Sequence, residues 1–244
     1  MSYDTRLSAI LESFSNDCLY PGLWKDGKLD KQIKKQLNII AADFVAEHNI
    51  PKDAIKDIVM TGSMANFNWS DYSDIDLHIL VNYSDINQNE DLVGDLMNLA
   101  KSKWNSDHSI KICDHEVEVY VQDDQEPHHS TGIYSLIDDK WIESPKKEDS
   151  SSQPSQISVE RKAQKYINKI DKLKMDDYQS AEKLMEELKD MRMQGLKKGG
   201  EYSVENLAYK YLRNHQYIKL LKDKGVQAYD KKMTVSDCGE DDCE

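Results

Sequence analysis

The chain has 244 residues, 39% hydrophobic and 32% charged, and its 45 acidic side chains outnumber 32 basic ones to give a formal charge of −13. This composition is polar but that of a folding chain, and it excludes broad, nonspecific adhesion to nucleic acid, which rests on cations neutralising phosphates. A local basic groove remains compatible with it.

In chain order, Leu7, Ile10, Leu11 and Phe14 share one face at helical spacing over residues 4–18, and Ile33, Leu37, Ile40, Phe44 and Val45 do so over 30–47. The breaker-rich segment from Tyr20 to Gly27 separates these helices, and Asp30 is placed to cap the second. Residues 1–50 are expected to pack on the core that follows. The start of the chain lacks the apolar centre of a signal peptide, and no run approaches the ~18 apolar residues of a membrane span, so a cytoplasmic protein with no membrane contact is expected. Cys18, Cys113, Cys238 and Cys243 lack the paired spacing of a zinc ribbon and suit a reducing setting.

Ile55, Ile58, Val59 and Met60 mark a short buried strand stopped by Thr61-Gly62-Ser63. A second strand reads Asp74-Ile75-Asp76-Leu77-His78-Ile79-Leu80-Val81. Its period of two puts Asp74, Asp76 and His78 on one face and Ile75, Leu77 and Ile79 on the other. A helix is expected over Leu92 to Trp104, then strands over Ser109 to Cys113 and Glu116 to Gln122, with His115 at the turn between them. In the last strand Val117, Val119 and Val121 point one way and Glu116, Glu118 and Tyr120 the other.

Residues 144–157, with Pro145, Ser150 to Ser152 and Pro154, have linker composition. Helices near 158–174, 176–198 and 203–224 follow, the second stopped by Gly199-Gly200, and residues 225–244 form an acidic tail that includes Cys238 and Cys243. No internal repeat is present. The expected fold class is α+β: a small mixed sheet over 51–143 with flanking helices, then a helical bundle over 158–224.

Carboxylates gathered on one strand face oppose one another's ionisation unless a cation sits among them. Asp74 and Asp76, two residues apart and pointing the same way, supply hard oxygen ligands of the kind magnesium takes together with phosphate oxygens and water. A Gly-Ser turn leaving a strand offers backbone N–H groups and no Cβ at the glycine, so phosphate can approach, and Ser63 adds a hydroxyl. Gly-Ser and Asp-x-Asp are each weak signals, and their order carries the information.

The run Ile58-Val59-Met60-Thr61-Gly62-Ser63-Met64-Ala65, then Ser73-Asp74-Ile75-Asp76-Leu77, then Val117-Glu118-Val119 resembles the DNA polymerase β-like nucleotidyltransferase superfamily over roughly residues 55–122. The stretch Asn66-Phe67-Asn68-Trp69-Ser70-Asp71-Tyr72 looks like the stand-alone nucleotidyltransferases of bacteriophage genomes. The resemblance implies phosphoryl transfer from a nucleoside triphosphate (NTP) with two Mg2+ ions held by Asp74, Asp76 and Glu118, one activating an attacking hydroxyl and one orienting the triphosphate. The third carboxylate is usually Asp in polymerase-like members. This strand offers Glu116 and Glu118, of which Glu118, flanked by apolar residues, is preferred.

Other features keep two readings each. His78 either joins the metal surroundings or is an outer neighbour. The segment Glu126-Pro127-His128-His129-Ser130-Thr131-Gly132-Ile133-Tyr134 is either a substrate-contacting loop or a plain one, and has no ligand spacing for a metal of its own. Tyr202, Tyr209, Tyr211 and Tyr217, interleaved with Lys210, Arg213, Lys219 and Lys222, fit either base stacking or core packing. The acceptor is open between an RNA end, a protein hydroxyl and a small molecule. The alternative function is a catalytically silent nucleotide-binding regulatory module of the same fold.

Overall fold

The computed structural model describes residues 16–127, 130–147, 154–174 and 177–235. Most of the first expected helix, His128, His129, part of the linker and the acidic end lie outside them. The chain divides into two compact units, Met1–Glu148 and Asp149–Glu244.

The first unit begins with a two-stranded ribbon, β1 (Trp24–Lys25) and β2 (Lys28–Leu29), joined at Asp26-Gly27. Both turn residues have positive φ, 52° and 74°, the backbone of the tight turns that match strand twist. Helix α1 (Lys31–Glu47) starts at Asp30, whose Oδ1 accepts the Gln32 backbone N–H at 2.9 Å, as its capping position predicts.

A six-stranded sheet follows: β3 (Ile55–Thr61), β4 (Ile75–Val81), β5 (Lys111–Ile112), β6 (His115–Asp123), β7 (Ile133–Ser135) and β8 (Lys140–Glu143), in the order β5-β6-β4-β3-β7-β8. β4 and β6 are parallel, and the other neighbours are antiparallel. Two parallel neighbours need a crossover, here supplied by α2 (Tyr83–Ile86) and α3 (Glu90–Asp107). β7 and β8 were not expected from the sequence. The sheet is mixed, as anticipated.

Ile75, Leu77 and Ile79 of β4 are fully buried with Val119 of β6, and they share one core with Leu37, Ile40 and Phe44 of α1 and with Val93, Met97 and Trp104 of α3. The period-two pattern therefore sorts β4 as expected, apolar side chains inward and Asp76 and His78 only half-buried. The Asn105 side chain of α3 both donates to the Val119 carbonyl and accepts from the Val119 N–H, each at 3.0 Å.

The second unit is helical: α4 (Gln156–Asp171), α5 (Tyr178–Gly199), α6 (Val204–Asn214) and α7 (Tyr217–Met233). Helix α5 stops at Gly200, with φ 65°, as the glycine pair predicts. The single helix expected over 203–224 is two, because Gln216 adopts φ 64° and breaks it, and α7 then runs through residues expected in the tail. Tyr202, Leu207 and Tyr211 are buried, while the Arg192 guanidinium sits 4.8 Å above the Tyr209 ring. This part of the basic aromatic helix packs the unit's own core. Among the described residues, no helix is long and apolar enough to cross a membrane.

The β5–β6 turn, Cys113-Asp114, holds both residues at positive φ, 50° and 67°, where side chains are strained. Replacing it with Asn-Gly, the pair such turns favour (Cys113→Asn with Asp114→Gly), is expected to stabilise the protein by about 0.5–1 kcal/mol, read as a higher urea midpoint with unchanged slope.

Candidate active site

The sheet centre fixes the first pair of candidate residues. Thr61, the last residue of β3, lies opposite Asp76 of β4, and Gly62 then turns the chain with φ 74° across the Asp76 side chain. A Cβ built on Gly62 would lie 1.8 Å from Asp76 Oδ2, so the main chain passes the carboxylate at a distance only glycine permits. Ser63–Ala65 then form one 3₁₀ turn, whose leading N–H groups have no acceptor within the turn.

Several contacts between distant parts of the chain hold this turn and the loop after it. The Ser63 hydroxyl donates to Ser73 Oγ at 2.9 Å, and the Ser70 N–H donates to the same oxygen at 3.0 Å. Ser63, expected to offer its hydroxyl to phosphate, thus spends its proton on the loop. The Ser73 carbonyl accepts from His115 Nδ1 at 2.7 Å, which assigns the proton of this buried imidazole to Nδ1 and ties the residue before Asp74 to the first residue of β6. The indole N–H of Trp24 donates to the Met64 carbonyl at 2.7 Å, with Trp24 itself stacked on Trp141 at 4.6 Å. Asn16 donates to the Trp69 carbonyl at 2.7 Å. Trp24 and Asn16 were not singled out from the sequence, Ser73 entered only as the residue that opens the Asp74-Ile75-Asp76 motif, and His115 was noted only as a turn residue.

The segment after β6 also borders the turn. Thr61 Oγ1 donates to the Gly132 carbonyl at 3.1 Å, the fully buried Asn66 donates to Thr131 Oγ1 at 2.6 Å, and a Cβ on Gly132 would lie 2.0 Å from the Ala65 carbonyl oxygen. His128 and His129 lie outside the described residues.

The parallel register of β4 and β6 makes Asp76 and Glu118 direct neighbours, and His78 and Tyr120 the next pair on that face. Asp74 immediately precedes β4 and is half-buried. Glu118 Oε2 accepts from the Tyr120 hydroxyl, and Tyr120 stacks on His78 with ring centres 4.8 Å apart. His78 Nδ1 meets Gln122 Oε1 at 2.9 Å. Glu116 is exposed and accepts from the Ser109 hydroxyl at 3.1 Å. Burial raises the pKa of the Tyr20 phenol, whose ring meets His115 edge-on, and the carboxylates of Asp71 and Asp114 raise it further.

Among the described residues, no three His, Cys, Asp or Glu side chains converge on one ion position. The register brings Asp76 and Glu118 together in the backbone, while mutual repulsion works against convergence of the two carboxylates. The donor chemistry still fits a hard divalent cation, being all carboxylate oxygen, and the missing Cβ at Gly62 is what lets the Asp76 carboxylate lie against the turn.

Gly27 shares φ 74° with Gly62 but has open space around it. Gly62→Ala is therefore expected to lose about 1–3 kcal/mol more in urea unfolding than Gly27→Ala, the excess being the overlap with Asp76.

No protein-family model matches the chain, and no curated protein matches it. Two solved structures show a weak likeness. One is the STING-associated CdnE c-di-GMP synthase from Capnocytophaga granulosa, with 13% identity over 84% of this chain and 83% of that one and a TM-score of 0.22. The other is the Elizabethkingia meningoseptica CdnE cyclic dinucleotide synthase with GTP and Apcpp, with 13% identity over 83% of each chain and a TM-score of 0.21. Likeness at this level establishes no family membership and does not bear on the bacteriophage resemblance of residues 66–72.

Proposed function

We propose that the chain is a divalent-metal-dependent nucleotidyltransferase that moves a nucleoside monophosphate from an NTP to a hydroxyl acceptor and releases pyrophosphate. One observation carries the reading: the Gly62 main chain passes against the Asp76 carboxylate while Glu118 stands beside Asp76 on the neighbouring strand. A turn whose Ser63 and Met64 N–H groups have no acceptor within it is thereby set beside two carboxylates of neighbouring strands, the apposition a metal-bound triphosphate needs.

In this reading Asp74, Asp76 and Glu118 hold the magnesium. When bound there, the cation would supply charge stabilisation at the triphosphate and a lowered pKa at the acceptor hydroxyl. The Ser63 and Met64 N–H groups of the turn would receive phosphate oxygens, the Ala65 N–H being donated to the Gly62 carbonyl. Ser73, His115 and Trp24 keep turn, loop and strands in register, so that an acceptor hydroxyl oxygen can meet the α-phosphorus as the bond to pyrophosphate breaks. Resemblance to the polymerase β-like superfamily supports the same assignment.

The test is transfer of label from each α-32P NTP in the presence of Mg2+ to an RNA, a protein or a small-molecule fraction, with pyrophosphate release followed in parallel. Asp74→Asn and Asp76→Asn are each expected to lower transfer at least about 100-fold without unfolding the chain. Equal labelling by these variants would sink the proposal, and NTP binding without pyrophosphate release from any fraction would point to a silent binding module. Glu118→Gln is expected to impair transfer by a similar factor and Glu116→Gln by less than about twofold, so comparing the two variants identifies the third carboxylate.

A further inference from the structure

Tyr120 is bound from three directions on the carboxylate face. Its hydroxyl donates to Glu118 Oε2, its ring stacks on His78 at 4.8 Å, and the Lys101 ammonium of α3 lies 4.6 Å from the ring centre. A half-buried aromatic side chain at a strand surface can sample several rotamers. A stacked imidazole on the adjacent strand and a cation from the helix beside β6 restrict this one. His78 is itself fixed by Gln122 at 2.9 Å, so the clamp extends across both parallel strands.

The consequence falls on Glu118. A glutamate on a strand has three side-chain torsions, and ordering it to receive a cation costs conformational entropy. A phenol that is itself immobilised and donates to one oxygen removes part of that cost before any cation arrives. It also leaves the other oxygen, Oε1, outside that hydrogen bond. A carboxylate accepting one hydrogen bond remains an anion with lone pairs to spare, so the contact orients the group without neutralising it.

We infer that Tyr120 is a positioning residue, one that orients Glu118 for a divalent cation held with Asp76. The inference rests on the reading of Asp74, Asp76 and Glu118 as cation ligands. Its test uses Mn2+ alone, which shares the preference for oxygen ligands and is detected directly by electron paramagnetic resonance on the full chain without NTP. Tyr120→Phe keeps the ring, its stacking and the Lys101 contact and removes only the hydroxyl. Mn2+ affinity is expected to fall about tenfold with an unchanged urea midpoint. In a Glu118→Gln background the same substitution is expected to have less than about a twofold effect, since the group it orients is then no longer a carboxylate.

Equal or tighter Mn2+ binding by Tyr120→Phe overturns the inference, as does an undiminished effect in the Glu118→Gln background. Asp76→Asn separates the two levels of the argument. If Asp76→Asn binds Mn2+ as the unaltered chain does, the cation site itself fails. If Asp76→Asn loses binding while Tyr120→Phe does not, only the role of Tyr120 fails.

Discussion

The passage of the Gly62 main chain across the Asp76 carboxylate governs the arrangement around it. A chain leaving a central strand must turn immediately if it is to stay at the sheet edge, and here it turns toward the neighbouring strand's charged face. This contact sets the height of the 3₁₀ turn above β4. Ser73, His115 and Trp24 then fix the turn from the loop, from β6 and from the N-terminal ribbon. A loop of polar residues packed this closely to a carboxylate must satisfy its own polar groups first, and the buried contacts at Ser73 and Asn66 show how this loop does so.

What the sequence makes legible is what local physics controls. Alternation in Asp74 to Val81 identifies both the strand and its charged face, because a strand with one face in the core must sort its side chains by period two. The Asp30 cap and the Gly200 stop follow from the backbone groups that helix ends leave unsatisfied. The acidic face of β6 was readable for the same reason, and Tyr120 could have been read with it, since residue i+2 of a strand lies beside residue i on the same face.

What was not legible depends on contacts between distant residues. β7 and β8, three and four residues long, owe their strand geometry to pairing with β3 and with each other and carry no clear alternation. The break at Gln216 occurs without Gly or Pro, so packing in the second unit overrides local preference there. The indole of Trp24 reaches Met64 across forty residues of sequence and the His115 ring reaches Ser73 across forty-two, and neither has a local signature. Side-chain direction is also beyond sequence spacing, since Glu118 shares a face with Asp76 yet hydrogen-bonds along its own strand.

The two hydrogen bonds between Asn105 and the Val119 main chain bear on how this sheet can meet other chains. Beyond the short β5, the outer side of β6 is an edge, and edges recruit extended peptides by offering N–H and C=O groups in sequence. A side-chain amide supplies both a donor and an acceptor in the place where the next strand would lie, so it interrupts that row at its middle. Strand addition is thereby closed off next to Glu118.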